Sequence, residues 1–339
     1  MPVNSILKGF ESPSWNLARS ACEKDDTSLL ERAISTCSEK DDPDGLRHYI
    51  ARHAIQNNAA KVLAYILDQG YNVQSLAPTV VAGDGRSKAI LEILLAHGWD
   101  INYRNTQDSG PDAEPFLWHA VKDAELVHWC LEHDASVFAR GQEPLSDAEL
   151  TRSQRACGTV LERAAASATV STFELLRSKG APLGWQPLHL AVESAAIAAH
   201  VLMKRRSEKN DAENESHHAE TESKEQAQAK IYTERLAMLR HLLDVVKFDV
   251  NALDHPVGRR PGGRLGPPIC YVATLSGMHG MHVMREVTWL LLDRGANPSP
   301  GLEEAEASGH ETFAGDVEAW KAQSGGGEGK STRSGCNVQ

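Results

Sequence analysis

The sequence predicts an all-α fold, an array of stacked helix-turn-helix units, on three observations. Short Ala-containing apolar segments alternate with Leu-rich ones along most of the 339 residues. In the Leu-rich segments, apolar residues recur at i, i+3 and i+4, the spacing of one buried helix face. These segments then stop on pairs such as Gly-Ala or on Gly-Trp-Asp, and the Gly supplies the left-handed residue that closes a helix. A single helix pair cannot bury both its faces, so each unit must be stabilised by stacking on the next. The small aromatic share, 6 %, suits packing that relies on Ala and Leu.

The elements follow in chain order. Residues 17–22 and 29–34 form an N-terminal capping pair within an N-terminal segment, 1–44. The repeat region runs from 45 to 322. Its clearest first helices are at 115–121 and 186–192, and weaker ones lie at 49–55, 77–83, 159–165 and 267–273. Its clearest second helices are at 62–70, 90–98, 175–181 and 289–296, and residues 302–321 supply a closing helical cap. Residues 323–339 form a Gly-rich tail with the composition of a flexible linker.

The segment Gln186-Pro187-Leu188-His189-Leu190-Ala191 resembles the T-P-L-H-x-A opening of the ankyrin repeat. With the serial stops, the resemblance covers about residues 50–297 in six degenerate repeats. It implies an ankyrin-type repeat solenoid with hairpin-like loops, in which a protein partner docks on the concave face and beside the hairpins. The pattern also departs from the family. Gly70 and Gly98 are only 28 residues apart, Asp134 stands where a stop Gly is expected, and the repeat ending at Val246-Lys247-Phe248 has no Gly. Uneven curvature and a distorted junction are therefore expected.

The largest departure is an insertion at 204–230, inside the fifth repeat. It carries seven acidic and six basic residues and almost nothing apolar, so it cannot bury surface. Its flanks favour helix, including a Glu220–Lys224 pair at i,i+4. Both helices of that repeat are expected to extend outward, around a disordered hinge at 208–218.

Candidate partner-binding residues sit at the long junctions. Tyr103, Arg104 and Trp185 place aromatic and guanidinium groups, the types enriched at binding hot spots, near loop tips. Trp118 occupies the position of the family's histidine. Arg259, Arg260 and Arg264 make one basic loop, suited to an acidic group because Arg pairs bidentately with carboxylates and phosphates.

Charge and motifs exclude several classes. Lys and Arg number 35 against 46 Asp and Glu, a net charge of −11, whereas a nucleic-acid binder needs a basic footprint. No apolar run approaches the roughly 20 residues of a membrane span, and mean hydropathy is −0.39. The first thirty residues lack an apolar segment of signal-peptide length. The six cysteines show no CxxC pair, so reduced thiols are expected. No phosphate-cradling, dinucleotide, HExxH or Gly-x-Ser-x-Gly motif is present. No catalytic residue and no cofactor are therefore assigned.

The final Cys336-Asn337-Val338-Gln339 fits the C-a-a-X pattern, with Gln favouring farnesyl on Cys336. One such chain gives only reversible membrane contact. The expectation is a monomeric, non-catalytic adaptor or scaffold, cytoplasmic and transiently membrane-associated, with a nuclear location also open. Two alternatives stand beside it. One is a regulatory subunit that uses 204–230 as an interaction arm. The other is a metal-binding protein or metalloenzyme using His279 and His282 among Met278, Met281 and Met284, donors that suit copper.

Overall fold

The computed structural model describes residues 12–38, 42–83, 87–104, 113–139, 158–210, 215–254, 265–276 and 282–325. The described residues contain sixteen α-helices, two short 3-10 turns and no strand. They fall into two compact units, 1–160 and 161–339.

In the first unit the helices come in pairs: α1 (Pro13–Lys24) with α2 (Thr27–Thr36), α3 (Pro43–Gln56) with α4 (Ala60–Asp68), α5 (Pro78–Val81) before α6 (Lys88–Ala96), and α7 (Phe116–Ala120) with α8 (Ala124–Glu132). First helices pack on first helices, α1 on α3, α3 on α5 and α5 on α7, while α2 packs on α4 and α4 on α6. The short Gly70–Gly98 interval is explained by α5, which is only one turn long. Small residues let the first helices approach closely: Ala18, Ala21, Ala51 and Ala54 are fully buried. The second helices contribute the larger groups, Leu63, Ile66, Ile90 and Leu94.

Caps fix where the second helices begin. Asp26, Ser87 and Asp123 each accept backbone N–H bonds at the starts of α2, α6 and α8, satisfying donors that the helix leaves free. Helix α4 has Ala59 at this position and no cap of its own. Its N–H groups at Lys61 and Val62 instead donate to the carboxylate of Asp25, 2.9 and 3.0 Å away on the preceding pair.

The second unit holds α9 (Val160–Ser167), α10 (Val170–Ser178), α11 (Pro187–Asn210), α12 (Glu215–Asp244), α13 (Pro268–Ser276), α14 (Arg285–Leu292), α15 (Ser299–Ser308) and α16 (Glu311–Gly325). Helix α11 packs on α13 and α13 on α15, while α10 packs on α12 and α14 on α16. Glu162, buried on α9, accepts from the N–H groups of Trp185 and Gln186 at 2.8 and 2.9 Å, so it caps the entry to α11. Arg235 is buried on α12 and donates to the carbonyls of Ser167 and Ala168, closing the far end of α9. The last helix is fastened to α14 by Arg285 Nε to Asp316 at 2.8 Å, Trp289 Nε1 to the Asp316 carbonyl at 2.9 Å, and Trp320 Nε1 to Asp293 at 2.8 Å.

Gly70, Gly98, Gly180 and Gly295 all have φ between 82° and 86°. Asp134 and Lys247 adopt the same left-handed conformation, with φ of 60° and 67°. The two repeats that lack a stop Gly thus keep the stop geometry and carry the steric cost of a Cβ there.

Both helices of that repeat extend into the charged insertion, as expected, but the hinge between them differs from expectation. Helix α11 continues to Asn210 and α12 begins at Glu215, so most of the expected hinge at 208–218 is helical, and residues 211–214 lie outside the described set. An Arg206–Glu225 ion pair at 3.2 Å and a Gln228 Nε2 bond to the Ala198 carbonyl link the two helices.

Candidate binding surface

The structure separates the expected contact residues. Trp118 is 1 % exposed, and its Nε1 donates to the Gly158 carbonyl at 2.7 Å. Contact with a partner is thereby ruled out for it; the side chain is core and ties its helix to a later loop. His189, at the corresponding place in its own repeat, does the same work, with Nε2 3.1 Å from the Ala252 carbonyl. Arg104, expected at an exposed tip, is buried at 8 %, because its side chain turns inward. Its Nε has no partner among the described residues. Tyr103 stays part-exposed. Arg259, Arg260, Arg264, His279 and Cys336 lie outside the described residues, as does the side chain of His282.

Trp185 is part-exposed and lines a hollow of about 240 Å³ with Leu188, His189, Phe248 and Leu253. Its Nε1 has no acceptor among the described residues. Asp254 and Leu265 are the described residues on either side of the segment that holds the basic loop expected at 259–264. Asp254, at the stem, accepts from the Leu265 N–H at 3.1 Å and the Tyr271 hydroxyl at 2.5 Å.

A larger groove of about 550 Å³ lies along α11, α12 and α14, within the usual size of a ligand-binding cleft. It exists because α11 and α12 are 24 and 30 residues long, against 8 for α14. One face of α11 supplies Ala199, Leu202, Met203 and Arg206, the i, i+3, i+4, i+7 stripe of a single helix side. Val283, Trp289 and Leu290 complete an apolar floor.

Three arginines stand around that floor, and each is 40–51 % exposed at the side chain. Arg206 bonds Glu225 through Nε, Arg240 bonds Glu286 through one terminal nitrogen at 3.3 Å, and Arg285 bonds Asp316 through Nε. The Arg285 guanidinium also sits 5.7 Å from the Trp289 ring centroid. The groove's two carboxylates are engaged: Glu286 accepts from the Tyr232 hydroxyl at 2.8 Å and from Arg240, and Asp293 accepts from Trp320. Burial, reinforced by the bond to Glu286, raises the Tyr232 phenol well above its ordinary pKa, so the hydroxyl remains a donor.

Sequence reasoning missed this groove. The one available signal was that the apolar stripe of α11 runs past Leu202 to Met203 and into the charged insertion, giving Arg206 an apolar neighbour on its own face.

Other chemistry is sparse. Cys22, Cys130 and Cys270 are buried, and burial pushes the Cys22 thiol up to about 12, which keeps it protonated and unreactive. Among the described residues, no three His, Cys, Asp or Glu side chains gather as a metal site requires, and no helix is long and apolar enough to cross a membrane. No protein-family model matches this chain, and no curated protein matches it significantly.

Proposed function

We propose that the chain is an ankyrin-type repeat protein that works as a non-catalytic adaptor, holding a protein partner on surfaces carried by its stacked helix pairs. The observation that carries this reading is a recurring brace between successive repeats. In the first unit Asn102 bonds both to the Asp134 carbonyl and to the Ser136 N–H; in the second, Asn251 bonds to the Gly295 carbonyl and the Asn297 N–H. A chain that holds its connecting loops in one repeated frame presents variable side chains at low entropic cost on binding. The part-exposed Tyr103 and Trp185, and the groove beside α14, are the surfaces this reading favours.

The test is purification of the intact chain from its native cells, followed by cross-linking and peptide mapping of whatever co-purifies. One protein is expected near stoichiometric yield, with cross-links on the α11–α12–α14 face or beside Tyr103 or Trp185. Recovery of the chain alone, at native expression and low salt, would overturn the adaptor reading.

A further inference from the structure

Arg104 is buried at 8 % exposure and makes no hydrogen bond or ion pair among the described residues. A guanidinium stays protonated in proteins, so its charge is uncompensated there, and an unpaired buried charge is costly. Arg235 shows how this chain otherwise treats a buried arginine. At 6 % exposure it donates to the Ala168 and Ser167 carbonyls at 3.0 and 2.8 Å and lies 3.8 Å from Glu234. Of the Arg104 nitrogens, only Nε is both sealed from solvent and without a partner. The terminal pair therefore keeps the solvent contact through which an anion reaches it.

The fold does not call for a cation at this place, because the same turn occurs twice. Asp100 accepts from the Asn102 N–H with its carboxylate and from the Tyr103 N–H with its carbonyl, both at 2.9 Å. Asp249 does the same for Asn251 and Ala252, at 2.9 and 3.0 Å. Asn102 and Asn251 then brace the next repeat alike. Two positions beyond each brace stand Arg104 and Leu253. A leucine thus suits the second unit, and the guanidinium of the first is surplus to the frame. The same bonds fix the backbone that carries Arg104, which limits the ordering required when a ligand arrives.

We infer that Arg104 anchors one carboxylate, an Asp or Glu side chain of the partner protein, presented beside the part-exposed Tyr103. A planar fork of donors meets a carboxylate in two parallel bonds, and one negative charge balances the one positive charge. A phosphoryl group carries close to two charges near neutral pH and would leave the buried site with an unbalanced negative one. The inference rests on the adaptor reading and names one contact its partner makes.

The test uses the full chain, isotope-labelled at its arginine nitrogens, and three probes: the N-acetyl amides of glutamate, glutamine and phosphoserine. The Arg104 Nε–H resonance is the one missing from Arg104→Leu. The glutamate probe should move it to saturation, the glutamine probe should leave it in place, and the phosphoserine probe should bind more weakly than glutamate. Arg104→Leu should keep or raise the urea midpoint, since it removes an unpaired charge, yet weaken binding of a co-purified partner by at least about thirtyfold.

A resonance unmoved by glutamate, or moved equally by glutamine, would overturn the proposal. So would a lower midpoint for Arg104→Leu, which is the mark of a structural arginine, or a preference for phosphoserine, which points to a phosphorylated partner. If the partner binds Arg104→Leu as it binds the parent, the adaptor reading stands and this anchor fails. If glutamate binds at Arg104 but the parent chain purifies alone, the anchor stands and the adaptor reading fails.

Discussion

Asn102 and Asp134, 32 positions apart, are joined by a 3.0 Å bond from the Asn102 Nδ2 to the Asp134 carbonyl. The acceptor belongs to the residue that ends the next repeat in the left-handed conformation. Because the Asn102 oxygen also accepts from Ser136 N at 2.8 Å, one side chain sets both the end of that repeat and the path of the chain leaving it. Asn251 repeats the arrangement on Gly295 and Asn297 at 3.0 and 2.8 Å.

Removing either brace should cost stability without altering helix content. Asn102→Ala and Asn251→Ala are each expected to destabilise by about 1–2 kcal/mol, two hydrogen bonds at ordinary net value. Asn251→Asp should cost more than Asn251→Ala, since it sets a carboxylate oxygen against the Gly295 carbonyl. Urea unfolding midpoints, compared at equal m-value, decide this.

Lys247 carries a side chain at φ 67°, where its counterparts Gly70, Gly98, Gly180 and Gly295 carry none. Lys247→Gly should therefore stabilise the second unit by about 0.5–1 kcal/mol, and Gly98→Ala should destabilise the first by a similar amount. Thermal melting of the two variants should move in opposite directions. Melting shifts of the same sign would mean that the left-handed stops are not what limits these junctions.

Trp118→Phe keeps a buried ring but leaves the Gly158 carbonyl without its indole donor. A loss of about 1–3 kcal/mol is expected, with affinity for any partner unchanged once the variant is folded. A selective loss of partner at full stability would assign Trp118 a contact role that its burial denies.

The first unit should weaken in mild acid. Burial, aided by the charge of Arg52, lowers the pKa of His48, and burial with Arg19 and Arg52 lowers that of His53. Their unfolded forms bind protons first, so this contribution is lost as pH falls from about 6.5 toward the depressed folded values. His97 works the other way: its bond to the Ile93 carbonyl and its bond to Asp68 raise its pKa. That contribution is full below about 6.5 and fades as pH rises through the raised value. His53→Phe, which keeps a ring against Tyr49, should lose less stability than the parent between about pH 7 and pH 5. His97→Asn should lose more.

The helices were legible because their signals are local. The apolar spacing of Val62, Leu63, Ile66 and Leu67, ending at Gly70, specifies α4 almost completely, and those four side chains are buried. The stop at Lys247 was not legible, since no permissive residue marks it; its left-handed backbone accompanies a bond from the Phe248 N–H to the Leu242 carbonyl. Arg104 and Trp118 were misplaced for a related reason: a polar or aromatic residue beside a long loop reads as surface, and only tertiary contact shows it turned inward. The groove escaped notice because its residues come from stretches nearly ninety positions apart, Arg206 and Asp293 among them. Neither stretch announces the other.

Asp25 and Glu162, each in its own unit, lend their carboxylates forward to helices that start later in the chain. The debt runs one way. Losing the pair that contains Asp25 strips α4 of its cap, whereas losing α4 leaves α1 and α2 with every cap they had. Within the first unit, fraying should therefore be polar, spreading more readily toward the C-terminus than back from it. Amide exchange should record this as a gradient that begins at Asp25, whose carboxylate accepts the cap bonds.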